Sequence, residues 1–132
     1  MKETVHLDLG CGSRARNPYR QQKLIGCDFA ELDQLVPIDN FVFVAVDLSK
    51  NRLPFDDATF DSISAFDFIE HIPRQAYRPD GAIIFPFMDL MSEIYRVLKP
   101  DGLFLASTPA YPRPEAFQDP THVNFITEKT HE

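Results

Sequence analysis

The stretch Gly10-Cys11-Gly12-Ser13-Arg14-Ala15 carries the spacing G-x-G-x-x-G/A, and an acid, Asp28, follows at about the distance of a ribose-binding carboxylate. Glycines at those places let a backbone turn sharply and come close to a ligand. A carboxylate at the end of the next strand accepts hydrogen bonds from ribose hydroxyls. This is the chemistry of a nucleotide-type cofactor, and several cofactors share it. Asp8, inside the strand end, would oppose a pyrophosphate and suits a ligand with a positive amino group. Pro18 and the broken pattern after Ala15 leave little helix whose N-terminal dipole could hold a pyrophosphate. A nicotinamide-dependent oxidoreductase therefore rests on the glycine spacing alone.

These groups need strands to carry them. Val5–Leu9 is a short apolar-rich run ending in the glycine turn, and Lys23–Asp28 is a second strand candidate. Phe41–Asp47 (FVFVAVD) has β-branched and aromatic residues on both faces, the pattern of a strand buried on both sides. Asp61–Phe66 and Leu103–Ser107 are the fourth and fifth, the last introduced by the turn Pro100-Asp101-Gly102. Between them Phe87, Met91, Ile94 and Leu98 predict a helix over Phe87–Leu98, stopped by Pro100 and Gly102. Shorter helical pieces are expected around Arg14–Gln22, Glu31–Val36 and Phe68–Ile72, the first limited by Pro18. Strands alternating with helices imply an α/β fold with a parallel sheet and right-handed crossovers. Ligands bind such sheets beyond the carboxyl ends of the strands, where the strand order reverses. Asp8, Asp28, Asp47 and Asp67 fall at or beside such ends, so one edge of the sheet gathers the acids. No repeat or linker divides the chain, and residues 1–132 are expected to form one domain.

LDLGCG (Leu7–Gly12) resembles the first motif of the class I S-adenosylmethionine-dependent methyltransferases of the type 11-like kind. The similarity continues in order through LIGCDFA, VAVDLSKNRLPFDDATFDSISAFDFIEHI and EIYRVLKPDGLFLASTP. LPFDDATF (Leu53–Phe60) followed by Asp61, and RVLKPDG (Arg96–Gly102), are more specific than the glycine turn, and together these stretches cover most of residues 5–109. The resemblance implies a Rossmann-like three-layer sandwich with a mostly parallel sheet. It also implies S-adenosylmethionine as cofactor and methyl transfer to an oxygen or nitrogen of a small-molecule or sugar acceptor. It places Gly10, Cys11 and Gly12 against the methionine part of the cofactor, with Asp8 near the amino group. Asp28 would hold the ribose hydroxyls with Phe29 against the adenine. Asp47 would meet the adenine amino group beside the Leu48 backbone. Ala65 and Phe66 would border the methyl-transfer position. Many relatives have a third glycine where this chain has Arg14, so the loop departs from the family pattern there. On their residue types alone, Asp28 and Asp47 also read as strand-end caps of turns, and Phe29 as packing.

Under the same resemblance two histidines stand near the acceptor. His71 follows the fourth strand and His122 lies in the polar loop Gln118–His122. Either could deprotonate a hydroxyl, as the imidazole side chain in general can at neutral pH, and each also reads as a residue that holds a loop in shape. They are the catalytic candidates, His122 as the one expected to define the acceptor site. Pro73–Pro86 is expected to be a lid or acceptor wall, faced by Pro109–Pro120. No cluster of His, Asp or Glu in the sequence suggests a metal. The family sheet has seven strands, yet only residues 108–132 follow Leu103–Ser107, and Tyr111-Pro112-Arg113-Pro114 is poor strand material. Val123–Thr127 offers one short strand, so the last strands are expected to be shortened or absent. The fifth strand would then be an exposed edge. Self-association into a homodimer along it is one expectation. A truncated, non-catalytic domain serving as a binding or assembly partner is the rival to an enzyme.

Composition narrows the partners. A formal charge of −7 and a pI near 5.0 make nucleic acid a poor partner. No apolar run approaches the roughly 20 residues that cross a bilayer. MKETVHLDLG lacks the apolar stretch and cleavage site of a secretory signal. A cytoplasmic protein without a membrane partner is the expectation. Cys11 and Cys27 are too few for a disulfide scaffold or a four-cysteine zinc site, and read as reduced structural thiols.

Overall fold

The computed structural model describes residues 2–29 and 34–130. Its main sheet joins β1 (Val5–Leu9), β2 (Lys23–Asp28), β3 (Phe41–Ala45), β4 (Phe60–Phe66) and β7 (Leu98–Ser107) in the order β3-β2-β1-β4-β7, every pair parallel. A small antiparallel hairpin pairs β5 (Ala76–Tyr77) with β6 (Ile83–Ile84). The helices are α1 (Pro86–Val97) and the single-turn α2 (Glu115–Gln118). The architecture is α/β and Rossmann-like. Strand order reverses between β1 and β4, so the crossovers leave that point in opposite directions and open a crevice above the carboxyl ends.

Side-chain alternation divides the sheet into two unlike faces. Leu7 and Leu9 stand level with Ile25 and Cys27 on one side and Ile63 and Ala65 on the other. They form the main core with Leu90, Ile94 and Val97 of α1. On the opposite face His6 and Asp8 stand level with Ser62 and Ser64. That face is covered by the chain after β1, where Cys11 and Ala15 pack with Leu24, Phe41 and Phe43. Gly26 supplies the space: a Cβ there would lie 2.8 Å from the Cys11 sulfur.

The helix expected over Phe87–Leu98 begins one residue earlier, with Pro86 in its first turn, where an amide hydrogen has no helical partner. Leu98 already pairs with Phe60, and the next matched pair is Ser62 with Leu103. The turn Pro100-Asp101-Gly102 is therefore a bulge inside β7, with Lys99 bonded to the Asp61 carboxylate at 3.0 Å.

Several expectations are corrected. Arg14–Gln22 forms turns and extended chain, because Pro18 withholds a donor and the Asn17 side chain bonds the Gln21 amide and carbonyl instead. Phe68–Ile72 yields only a 3-10 turn at Ile69–His71. The piece expected at Glu31–Val36 lies partly outside the described residues, and Gln34–Val36 is irregular. The third strand is the outer edge of the sheet and only half-buried, and it stops at Ala45. Val123–Thr127 contributes only the isolated bridge Ala110↔Ile126. Among the described residues no strand follows β7, whose Leu103 and Phe104 are 53% and 37% exposed.

Candidate functional site

β1 and β2 carry the glycine turn and the first acid to the same height. Gly10 and Gly12 take φ of +64° and +60°, a region that side chains strain to enter. A Cβ on Gly10 would lie 2.4 Å from the Phe68 ring, so Phe68, just past β4, closes over the turn. The Cys11 amide extends the ladder to the Cys27 carbonyl at 2.9 Å. Asp28 Oδ2 accepts from the Gly12 amide at 2.9 Å, and Oδ1 accepts from the Phe29 amide at 2.8 Å. The carboxylate is thereby fixed at the strand end, and each oxygen keeps a lone pair for a further donor. Asp47 Oδ1 accepts from the Ser49 hydroxyl at 2.6 Å and the Ser49 amide at 3.0 Å. The Ser49 hydroxyl holds that carboxyl below its ordinary range. Asp47 both caps a turn and faces the crevice.

The crevice is a cavity of about 490 Å³, and of the residues singled out in the sequence it is lined by Gly10, Cys27, Asp28, Phe29, Asp47, Leu48, Asp67 and His71. Asp8, Cys11, Gly12, Ala65, Phe66 and His122 do not line it. Asp8 is buried, with Oδ1 accepting from the Ser64 hydroxyl at 2.7 Å and Oδ2 from the Arg16 amide at 2.8 Å. Burial raises its carboxyl above the usual value against those two bonds. Ala65 belongs to the core, and Phe66 lies under the Arg16 guanidinium, 4.5 Å from the ring centre. Cys11 and Cys27 are buried free thiols, both pushed up to about 12 by burial. Thr121, Ser49, Phe68 and Ile72 complete walls that sequence reasoning missed. Only Phe68 left a signal, as an aromatic beside the end of a strand that neighbours a glycine turn.

The two histidines meet. Val123 and Asn124 amides both bond the Glu70 carbonyl, at 2.9 and 3.0 Å, and this lays the chain after α2 across the 3-10 turn. The rings of His71 and His122 then pack edge to face with centres 4.8 Å apart. Thr121 Oγ1 donates to Asp119 Oδ1 at 2.6 Å and accepts from His71 Nδ1 at 2.9 Å. His122 Nδ1 donates to the Ala116 carbonyl at 3.2 Å. Glu70 is buried beside them, one oxygen bonded to the Thr108 hydroxyl. One ligand atom from each of Glu70, His71 and His122 lies within 4.8 Å of the others. The sequence showed no such ligand set, because Glu70 and His71 are neighbours but His122 lies far along the chain.

The expected lid, Pro73–Pro86, contains the β5–β6 hairpin, which flanks Ser49–Arg52 and the start of α1 rather than the main cavity. Its Arg74 and Phe85 do face Tyr111 of the second proline-rich stretch across a groove of about 690 Å³. The specific motifs have a structural role. Arg96 donates to the carbonyls of Leu53 and Phe55 and to Asp57, while gripping Glu93 through two nitrogens at 2.7 and 2.9 Å. This clamp ties the LPFDDATF loop to α1.

A parallel sheet whose order reverses beside a glycine turn, with acids at the next two strand ends, defines a Rossmann-like cofactor-binding domain. Residues 7–106 match the model of the family described as Methyltransferase domain. The chain belongs to the class I S-adenosylmethionine-dependent methyltransferase family, which implies that cofactor. Over 58 residues it is 40% identical to a Mycolicibacterium smegmatis protein described as an S-adenosylmethionine-dependent methyltransferase, covering 44% of this chain and 18% of that protein. The YcgJ protein from Bacillus subtilis superimposes with a TM-score of 0.69 at 25% identity, over 96% of this chain and 57% of that one. A chain from the complex between the Haloferax volcanii Trm112 methyltransferase activator and a methyltransferase shares the fold, with a TM-score of 0.55 at 20% identity over 81% and 45% of the two chains. The chain thus spans 18% of the curated relative and 57% of YcgJ. No helix among the described residues is long and apolar enough to cross a membrane.

Proposed function

We propose that this chain binds S-adenosylmethionine in the cavity above β1, β2 and β4 and transfers its methyl group to an oxygen or nitrogen of a small-molecule or sugar acceptor. The observation that carries the reading is Asp28, bonded through both oxygens to the amides of Gly12 and Phe29 while lining the cavity. A ribose diol meets a preorganised acceptor there, and preorganisation spares the cost of ordering the site on binding. Asp47 and Leu48, just past the next strand end, suit the adenine, and His71, which also lines the cavity, suits a base for the acceptor. A net charge of −7 fits a small-molecule acceptor in the cytoplasm better than nucleic acid.

Calorimetric titration with S-adenosylmethionine and S-adenosylhomocysteine tests the reading. Micromolar binding is expected, weakened by about 1–3 kcal/mol in Asp28→Ala through loss of a charged hydrogen-bond acceptor. A folded wild-type sample that binds neither compound refutes it.

One observation favours a second reading, a non-catalytic domain that assembles with a partner or with itself. The β7 edge is unpaired among the described residues and exposes Leu103 and Phe104. Light scattering on the eluting protein tests its self-association part: a monomer at high concentration counts against it, and a dimer dispersed by Leu103→Lys supports it.

A further inference from the structure

We propose that Glu70, His71 and His122 form a binding site for a divalent transition-metal ion at the acceptor end of the cavity. The hydrogen bonds assign the free atoms. Thr121 spends its only hydroxyl proton on Asp119, a carboxylate that can only accept, so His71 must donate from Nδ1 and keeps its Nε2 lone pair. The Ala116 carbonyl likewise fixes the proton of His122 on Nδ1 and leaves Nε2 bare. Metal-binding histidines are oriented in this way, one nitrogen donating to a carbonyl or hydroxyl while the other meets the ion. The third donor is Glu70 Oε1, on a side chain 2% exposed; it has no hydrogen-bond partner among the described residues. A buried orphaned carboxylate oxygen is costly unless something positive meets it.

Distances and chemistry agree. Glu70 Oε1 lies 3.6 Å from His71 Nε2, close to the roughly 3.4 Å that separates two ligands about 2.1 Å from a tetrahedral ion. The three ligand atoms lie within 4.8 Å of one another, so side-chain rotation of at most about 1.4 Å brings them to that spacing. Asp119 Oδ2, 3.8 Å from His122 Nε2, adds negative charge beside the site. Two imidazoles and one carboxylate suit zinc, cobalt, iron or manganese and leave an open position. Of the three ligands His71 lines the main cavity, beside Thr121, so an ion held there would stand at the cavity's edge and would lower the pKa of a hydroxyl bound to it. That last role rests on the methyl-transfer reading of the cavity, whereas the ion site does not.

The test is titration of the full chain with Co²⁺, followed by its visible absorption, with S-adenosylhomocysteine titrated separately. One ion per chain is expected. Glu70→Gln and His122→Ala should each weaken it at least about tenfold, and Thr121→Val, which leaves all three ligands, by a smaller factor. Thermal unfolding without metal checks that each variant folds. No absorption band on the wild type, or equal bands on all variants that fold, overturns the site in favour of a Glu70–His71 ion pair. A Co²⁺ band without S-adenosylhomocysteine binding upholds the ion site and sinks the methyl-transfer reading.

Discussion

Acid should weaken this fold through one residue at the sheet centre, His6. Its ring is fully buried between two serines, with Nδ1 2.7 Å from Ser62 Oγ and Nε2 2.7 Å from Ser64 Oγ. The protons have only one consistent order. Ser64 donates to Asp8, so it accepts from His6 Nε2–H; Nδ1 then accepts from Ser62, which accepts in turn from the Gln21 amide at 3.1 Å. A second proton on the ring would face a hydroxyl already aimed at it. Burial accordingly lowers the His6 value from 6.5 to about 4. Between those limits the unfolded chain binds a proton that the folded chain refuses, so stability is full above about 6.5 and declines as pH falls toward 4. At 1.36 kcal/mol per pH unit the loss reaches about 3 kcal/mol, a large part of the 5–15 kcal/mol of an ordinary domain. Asp8 works in the opposite sense: its raised carboxyl costs stability at neutral pH, and that cost is relieved as acid protonates it. Urea unfolding of wild type and His6→Gln at several pH values between 7 and 4 separates the two, since both proteins contain Asp8. The variant should start less stable and lose about 3 kcal/mol less over the range. Equal losses in both would refute the argument.

Two further outcomes follow from the glycine turn and the arginine clamp. Gly10→Ala forces a side chain into left-handed backbone, at about 1–2 kcal/mol, and drives its Cβ into the Phe68 ring. S-Adenosylhomocysteine affinity should fall at least tenfold by calorimetry, with partial recovery in the double variant with Phe68→Ala; unchanged affinity would show that the turn does not touch the ligand. Arg96→Ala leaves the buried Glu93 with only Arg52 and the Leu53 amide, and should cost roughly 3 kcal/mol in urea unfolding. Arg96 holds the Glu93 carboxyl down to about 2, so its contribution is present above about 4.5 and lost as pH falls toward 2, a decline that Arg96→Ala should flatten.

The elements with local signals were legible. An apolar run ending in glycines produced β1, the stripe of α1 was visible at helical spacing, and Pro100-Asp101-Gly102 announced a break. Legibility failed where tertiary contacts outvote local pattern. FVFVAVD reads as a central strand, yet it lies at the edge, because strand order is set by crossovers that composition does not encode. Arg14–Gln22 was open to a helix until Asn17 satisfied Gln21 locally. In the site, the strand-end residues Asp28 and Asp47 were readable because a parallel ladder fixes which end of each strand faces the crevice. Asp8 lies away from the cavity lining, since period-2 alternation turns its side chain away from Leu9 and toward Ser64 and the Arg16 amide.

The proposed acceptor side obeys a different logic from the proposed cofactor side. Asp28 ends β2 and Asp47 follows β3 by two residues, so the ladders carry their positions and each can be placed from its own neighbours in sequence. Glu70, His71 and His122 sit on a 3-10 turn and a loop that contain no ladder. These segments are joined by the Glu70 carbonyl, which accepts two amides from the later segment, by the bond between His71 and Thr121, and by Arg74, which bonds the Asn124 side chain and the Phe125 carbonyl. Such joints open more readily than a five-stranded sheet. An ion shared by the trio would tie the two segments together, and ligand binding to the folded state alone stabilises it in proportion to the logarithm of ligand concentration. The proposed ion would then stiffen the wall around His71 and His122, whereas Asp28 is already held by the β1–β2 ladder and two backbone amides.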